Sequence, residues 1–150
     1  MIDYRKEFDD KGYFTCVSIL DDSEREELLS KIIQIEKNVI SYPENKKEQD
    51  PNNPSRLRKI NDLVLNNQYF LKIAKKPAIL DIVTKCIGGD IKHFGDQLFM
   101  KPPGGVEKTS HQDSPYFPIS PMNLISCWIA LDDVNEENGC MKFIPGSHKL

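Results

Sequence analysis

Apolar positions recur at helical spacing in two stretches of the chain. In the first, Leu28, Leu29, Ile32, Ile35 and Val39 line one face of an amphipathic helix predicted to run to about Ile40, with Ser23 and Glu26 as its capping box. In the second, Pro77 stands at a first helical position, Ile79, Leu80, Ile82 and Val83 supply the apolar face, and Gly88-Gly89 ends the element. A polar helix over residues 4–10 precedes both, with Gly12 as a left-handed stop before the strand-like Tyr13-Phe14-Thr15-Cys16-Val17.

Beyond residue 90 the pattern changes. Residues 91–101, 124–131 and 140–144 read as strands separated by proline, glycine and asparagine turns. Between the halves, residues 41–56 are polar and interrupted by Pro43, Pro51 and Pro54. They are expected to form a flexible loop, with a lid over a nearby pocket as one use for it. Helices followed by a run of strands predict an α+β domain whose helices buttress one face of a largely antiparallel sheet. A chain of 150 residues, 39% hydrophobic, suits one such domain.

Charge narrows the function classes. A formal net charge of -3 from well-mixed acids and bases gives no broad basic surface for nucleic acid. No apolar run approaches the roughly eighteen residues of a membrane span, and the polar start lacks the apolar stretch of a secretory signal, so a cytoplasmic location is expected. Cys16, Cys86, Cys127 and Cys140 are scattered without zinc-site spacing, as suits reduced thiols.

The chemistry gathers in the β half. His111-Gln112-Asp113 follows the turn Pro102-Pro103-Gly104-Gly105, and in extended backbone residues i and i+2 present their side chains on one face. An imidazole and a carboxylate so placed are two of the three ligands of a 2-His-1-carboxylate Fe(II) site, which leaves coordination positions open. The triplet alone is weak evidence and equally describes a polar strand end. Its setting is more specific: Tyr116-Phe117-Pro118, then Cys127-Trp128-Ile129-Ala130-Leu131-Asp132-Asp133, then Glu137-Asn138-Gly139-Cys140, then Ile144-Pro145-Gly146-Ser147-His148.

In that order these motifs resemble the phytanoyl-CoA dioxygenase family, and residues 8–14 resemble its opening helix and Gly-Tyr strand. The resemblance implies a double-stranded β-helix, a cupin-like jelly roll with helices packed outside. It also implies oxidation of a substrate coupled to decarboxylation of 2-oxoglutarate, with Fe(II) and O2. By resemblance, His111 and Asp113 hold the iron. Lys59, Gln97 and Trp128 contact 2-oxoglutarate, and Gln112 counts with the cosubstrate-binding set. On its own Lys59 reads as a surface lysine, and Trp128 equally as a core aromatic or a cofactor contact.

The family's second histidine ligand and its 2-oxoglutarate-binding arginine lie well beyond the Pro-Gly-Ser-His turn. His148 is therefore not expected to complete the metal set, and the domain is expected to lack its C-terminal core strands. Lys101 is a secondary candidate, and His93 is expected to be structural or exposed. A carboxylate at Asp113 fills the coordination position that halogenating relatives leave for chloride, which favours hydroxylation of an aliphatic C–H of a small organic molecule. The alternative is a truncated or degenerate jelly-roll module that binds without catalysis. Zinc-dependent hydrolysis ranks last for want of a third ligand. The sequence does not name the substrate or the oligomeric state, and open sheet edges make a dimer unsurprising.

Overall fold

The computed structural model describes residues 3–38 and 42–150. Helix α1 (Tyr4–Lys11) starts at Asp3, whose carboxylate accepts from the Lys6 amide, and ends at Gly12 with φ +83°. The left-handed stop is where the sequence placed it, and here only glycine fits. A Cβ at Gly12 would lie 2.4 Å from Nδ1 of His148.

Helix α2 (Asp22–Lys37) has a capping box two residues earlier than expected. Asp21 Oδ1 accepts from the Glu24 amide at 2.8 Å, and Glu24 Oε2 accepts from the Asp21 amide at 3.0 Å. The stretch offers overlapping box patterns, and Asp21 lies in extended backbone while Ser23 already lies inside the helix. Leu28, Ile32 and Ile35 are buried, as the periodicity predicts. Val39 and Ile40 fall outside the described residues.

The sheet is small and antiparallel, in the order β1-β2-β3, with β1 (Lys47–Asp50), β2 (Asn53–Asn61) and β3 (Gln97–Phe99). Two of these strands correct the expectation of a loop over residues 41–56. Residues 44–46 form a 3-10 turn, and β1 and the start of β2 form a hairpin. The prolines do not oppose this, because each stands where the ladder needs no N–H: Pro43 before the 3-10 turn, Pro51 in the hairpin turn, Pro54 beside it. The turn is held by Asp50, only 3% exposed, whose Oδ1 accepts from the Asn52 and Asn53 amides at 2.8 and 3.2 Å. Residue 41, also part of that expected loop, lies outside the described residues.

Short helices α3 (Leu63–Asn66) and α4 (Gln68–Ala74) follow β2. Asp96, just before β3, accepts from the Leu63 and Val64 amides at 2.7 and 3.2 Å, so a distant carboxylate caps α3. Helix α5 (Pro77–Ile87) has Pro77 at its start and buries Ile79, Val83 and Cys86, in agreement with the pattern.

The core lies between α2, α4 and one face of the sheet. Leu28, Ile32 and Ile73 pack with Leu20, Tyr69, Phe70 and Leu98, and Ile35, Ile60 and Leu63 pack with Tyr42, Phe70, Leu98 and Met100. Ile60 is fully buried.

The strand expectations for the second half are only partly met. Of residues 91–101, only Gln97–Phe99 pairs, and residues 13–17, 124–131 and 140–144 carry no ladder among the described residues. A strand exists through its neighbour's hydrogen bonds, which propensity does not supply. These segments are instead held by side chains. Ile129 and Leu131 pack against the Leu28–Ile32–Ile73 cluster, Phe14 against Tyr4 and Phe8, and Tyr13 stacks on Phe143 at 4.7 Å between ring centroids. The observed architecture is thus mixed helix and sheet. No helix among the described residues is long and apolar enough to cross a membrane.

Candidate active site

The backbone places His111 and Asp113 as a facing pair, with His111 Nε2 3.4 Å from Asp113 Oδ1. The other ring nitrogen, Nδ1, lies 2.7 Å from the Thr109 carbonyl oxygen. A carbonyl only accepts, so Nδ1 carries a proton and Nε2 is the nitrogen turned toward Asp113. Either a proton on Nε2 or a bound cation suits the space between this nitrogen and the carboxylate. The intervening Gln112 leaves the pair and donates from Nε2 to the Ser147 carbonyl at 2.7 Å, clasping the Pro-Gly-Ser-His turn. Asp113 precedes a short 3-10 turn, Ser114–Tyr116, which brings the Tyr116 ring edge-on to His111 at 6.4 Å.

The pair is open to solvent, with side chains 36% and 55% exposed. Among the described residues no group of three His, Cys, Asp or Glu side chains stands close enough to hold an ion together. The donors present nevertheless suit a first-row divalent cation. An ion about 2.1 Å from each atom would subtend roughly 110°, and closing to a right angle requires a contraction of only about 0.4 Å. The Thr109 carbonyl is the kind of partner that fixes a ligating imidazole's tautomer and aim.

A second group forms on the sheet. Lys59 pairs with Phe99 and Asn61 with Gln97 across the β2–β3 ladder, so these four share one face, while Ile60 and its partner Leu98 turn to the core. Lys59 is largely covered, its side chain 18% exposed. Its Nζ lies 2.7 Å from Oε1 of Glu48, its partner on β1, and 5.9 Å from the centroid of the Phe99 ring. Hydrogen bonding from Lys59, and then its charge, hold the Glu48 carboxyl below the usual carboxylate range against the opposing effect of burial. Asn61 Oδ1 is buried without a hydrogen-bond partner, an orphan polar atom two residues from Lys59. An amide flip turns the same position into a donor, so this face suits a polar ligand such as a carboxylate.

Among the described residues no hydrogen bond, ion pair or ring contact joins this sheet face to His111 or Asp113. Trp128 is 48% exposed and is not a core aromatic, whereas its neighbours Ile129 and Leu131 pack inward. Lys101 crosses the Asn138-Gly139 turn so closely that a Cβ at Gly139 would lie 2.4 Å from its Nζ. His93 Nε2 lies 3.6 Å from Asp96 Oδ2. His148 sits on the end of α1, its Nε2 3.2 Å from the Asp9 carbonyl oxygen, while the Gly146 amide donates to the Lys11 carbonyl at 2.8 Å.

Sequence reasoning missed Glu48 and Asn61, whose partners appear only once strand register is known. It also missed Thr109, which acts through a backbone atom that any residue would supply.

The sequence model of the phytanoyl-CoA dioxygenase family (PhyH) matches residues 8–150. Peroxisomal phytanoyl-CoA dioxygenase of Rattus norvegicus is 38% identical over 96 residues, covering 61% of this chain and 28% of the relative. The human protein of the same name is 36% identical over 98 residues, covering 62% and 29%. A probable alpha-ketoglutarate-dependent hypophosphite dioxygenase of Stutzerimonas stutzeri is 26% identical over 150 residues, covering 97% of this chain and 52% of its own length. The chain thus spans about half, or less, of the length of these curated relatives. With nearly its whole length matched and the His-x-Asp pair facing in space, this chain belongs to the phytanoyl-CoA dioxygenase family.

Proposed function

We propose that this chain carries the proximal part of an Fe(II)- and 2-oxoglutarate-dependent dioxygenase site that hydroxylates an aliphatic C–H of a small organic molecule. The observation that carries the reading is the facing of two potential ligand atoms, His111 Nε2 and Asp113 Oδ1, 3.4 Å apart, with the imidazole's other nitrogen committed to the Thr109 carbonyl. In this proposal His111 and Asp113 hold ferrous iron and leave coordination positions free for the cosubstrate and O2. The iron, when bound, supplies dioxygen activation coupled to decarboxylation of 2-oxoglutarate.

The chain's own residues divide the remaining tasks. Lys59 offers an ammonium to the distal carboxylate of 2-oxoglutarate, and Gln97 and Asn61 offer amides from the same sheet face. Trp128 presents a half-exposed indole that excludes water from the cosubstrate. Gln112 holds the metal-binding segment against the Ser147 turn rather than reaching the cosubstrate directly. Asp113, by ligating the iron, keeps chloride out and so favours hydroxylation. The three-stranded sheet is part of the family's jelly roll in this account.

Anaerobic addition of Fe(II) and then 2-oxoglutarate to the full-length protein tests the proposal. A visible metal-to-ligand charge-transfer band that disappears in His111→Ala and Asp113→Ala is expected. No band, or a band indifferent to both substitutions, overturns it in favour of a non-catalytic binding module.

A further inference from the structure

The proposed cosubstrate lysine is already engaged. Glu48 stands directly opposite Lys59 in the β1–β2 ladder, and its carboxylate lies 2.7 Å from the ammonium, whose side chain is only 18% exposed. Register shifts follow Glu48 on the strand, so the pair marks the last regular position before the hairpin bulges. Arg58 and Lys108 act on the same carboxylate more weakly than Lys59 does.

We propose that Glu48 is a specificity-determining residue for the keto-acid cosubstrate: it neutralises Lys59 in part and so lessens what the site gains from a second carboxylate. The inference rests on the assignment of Lys59 to 2-oxoglutarate. An ammonium has three donors, so Lys59 can serve Glu48 and an incoming carboxylate together. The two carboxylates then share one cation at about 5 Å from each other, and their repulsion, screened by Glu48's exposure, offsets much of the attraction. A keto acid with one carboxylate, such as pyruvate, spends that group at the metal and does not reach Lys59. Glu48 therefore acts on dicarboxylates alone.

Glutamine at position 48 keeps the length and the acceptor that aims Lys59 while removing the charge. The test is anaerobic titration of the Fe(II)-loaded full-length protein with 2-oxoglutarate and with pyruvate, by calorimetry, in wild type, Glu48→Gln, Lys59→Met and the double variant. Glu48→Gln is expected to tighten 2-oxoglutarate about fivefold and to leave pyruvate within about 1.5-fold. In the Lys59→Met background the two carboxylates still repel with no cation between them, so the same change is again expected to tighten 2-oxoglutarate and not pyruvate. If Lys59→Met weakens 2-oxoglutarate but Glu48→Gln does not tighten it, or tightens both keto acids equally, the role of Glu48 is overturned while Lys59 stands. If Lys59→Met leaves 2-oxoglutarate affinity unchanged, the assignment of Lys59 itself fails. Thermal unfolding of each variant identifies any that do not fold, and for these Glu48→Ala or Lys59→Gln, which remove the same charge, replaces the variant, with Glu48→Asp as the charge-keeping control expected to bind as wild type does.

Discussion

Ile60 separates the two faces of β2, and truncating it tests whether the sheet divides core from ligand face as described. The residue is fully buried between Ile35 and Leu63, one position from Lys59 on the opposite face. Ile60→Ala removes three carbons, worth about 2.4 kcal/mol at ~0.8 kcal/mol per buried methylene. A site walled by a helix on one side and a strand neighbour on the other collapses poorly, which adds a cavity term and brings the loss to about 3.5 kcal/mol. For a domain of this size that corresponds to a fall in melting temperature of roughly 7–14 °C. Lys59→Met, one residue away, removes only a partly exposed ion pair and is expected to cost less than about 1 kcal/mol. Urea unfolding followed by circular dichroism measures both. Equal losses, or an Ile60→Ala loss below about 1 kcal/mol, would refute the division of faces.

Further predictions follow from single contacts. Gly12→Ala forces a side chain onto φ +83° and against the His148 ring, and is expected to destabilise by about 1–3 kcal/mol. His148→Ala in the same background relieves the collision but not the backbone penalty, which thermal melts of both variants measure. Asp96→Ala leaves the Leu63 and Val64 amides without their acceptor and is expected to cost about 1–2 kcal/mol by chemical denaturation. Glu48 titrates below its ordinary range when folded, so its contribution is present above that range and is lost as pH falls through the folded value. The stability gap between wild type and Glu48→Gln should therefore close in acid, and a gap that widens in acid contradicts the ion pair.

Helices were legible from the sequence because their signals are local. Pro77, the 79–83 apolar face and Gly88 lie within one element, and so do Leu28, Ile32 and Ile35. The hairpin was not, because Asp50 holds its turn by folding a side chain back on its own backbone, and a run of prolines and polar residues reads the same whether ordered or not. The C-terminal segments have strand propensity but no paired neighbour, and pairing is a property of two segments rather than one. The i, i+2 spacing of His111 and Asp113 suggested that they face each other, and they do, although Asp113 itself lies in helical rather than extended backbone. The pairing of Lys59 with Glu48 and of Asn61 with Gln97 required a register that no local pattern encodes. His148 shows the reverse case, in which a residue type suited to metal instead completes the end of α1.

The most direct measurement is anomalous diffraction at the iron edge from crystals of the full-length protein grown anaerobically with Fe(II). A single strong peak about 2.1 Å from both His111 Nε2 and Asp113 Oδ1 is expected. A peak bound elsewhere, or none at millimolar iron with both side chains ordered, would contradict the proposed iron site.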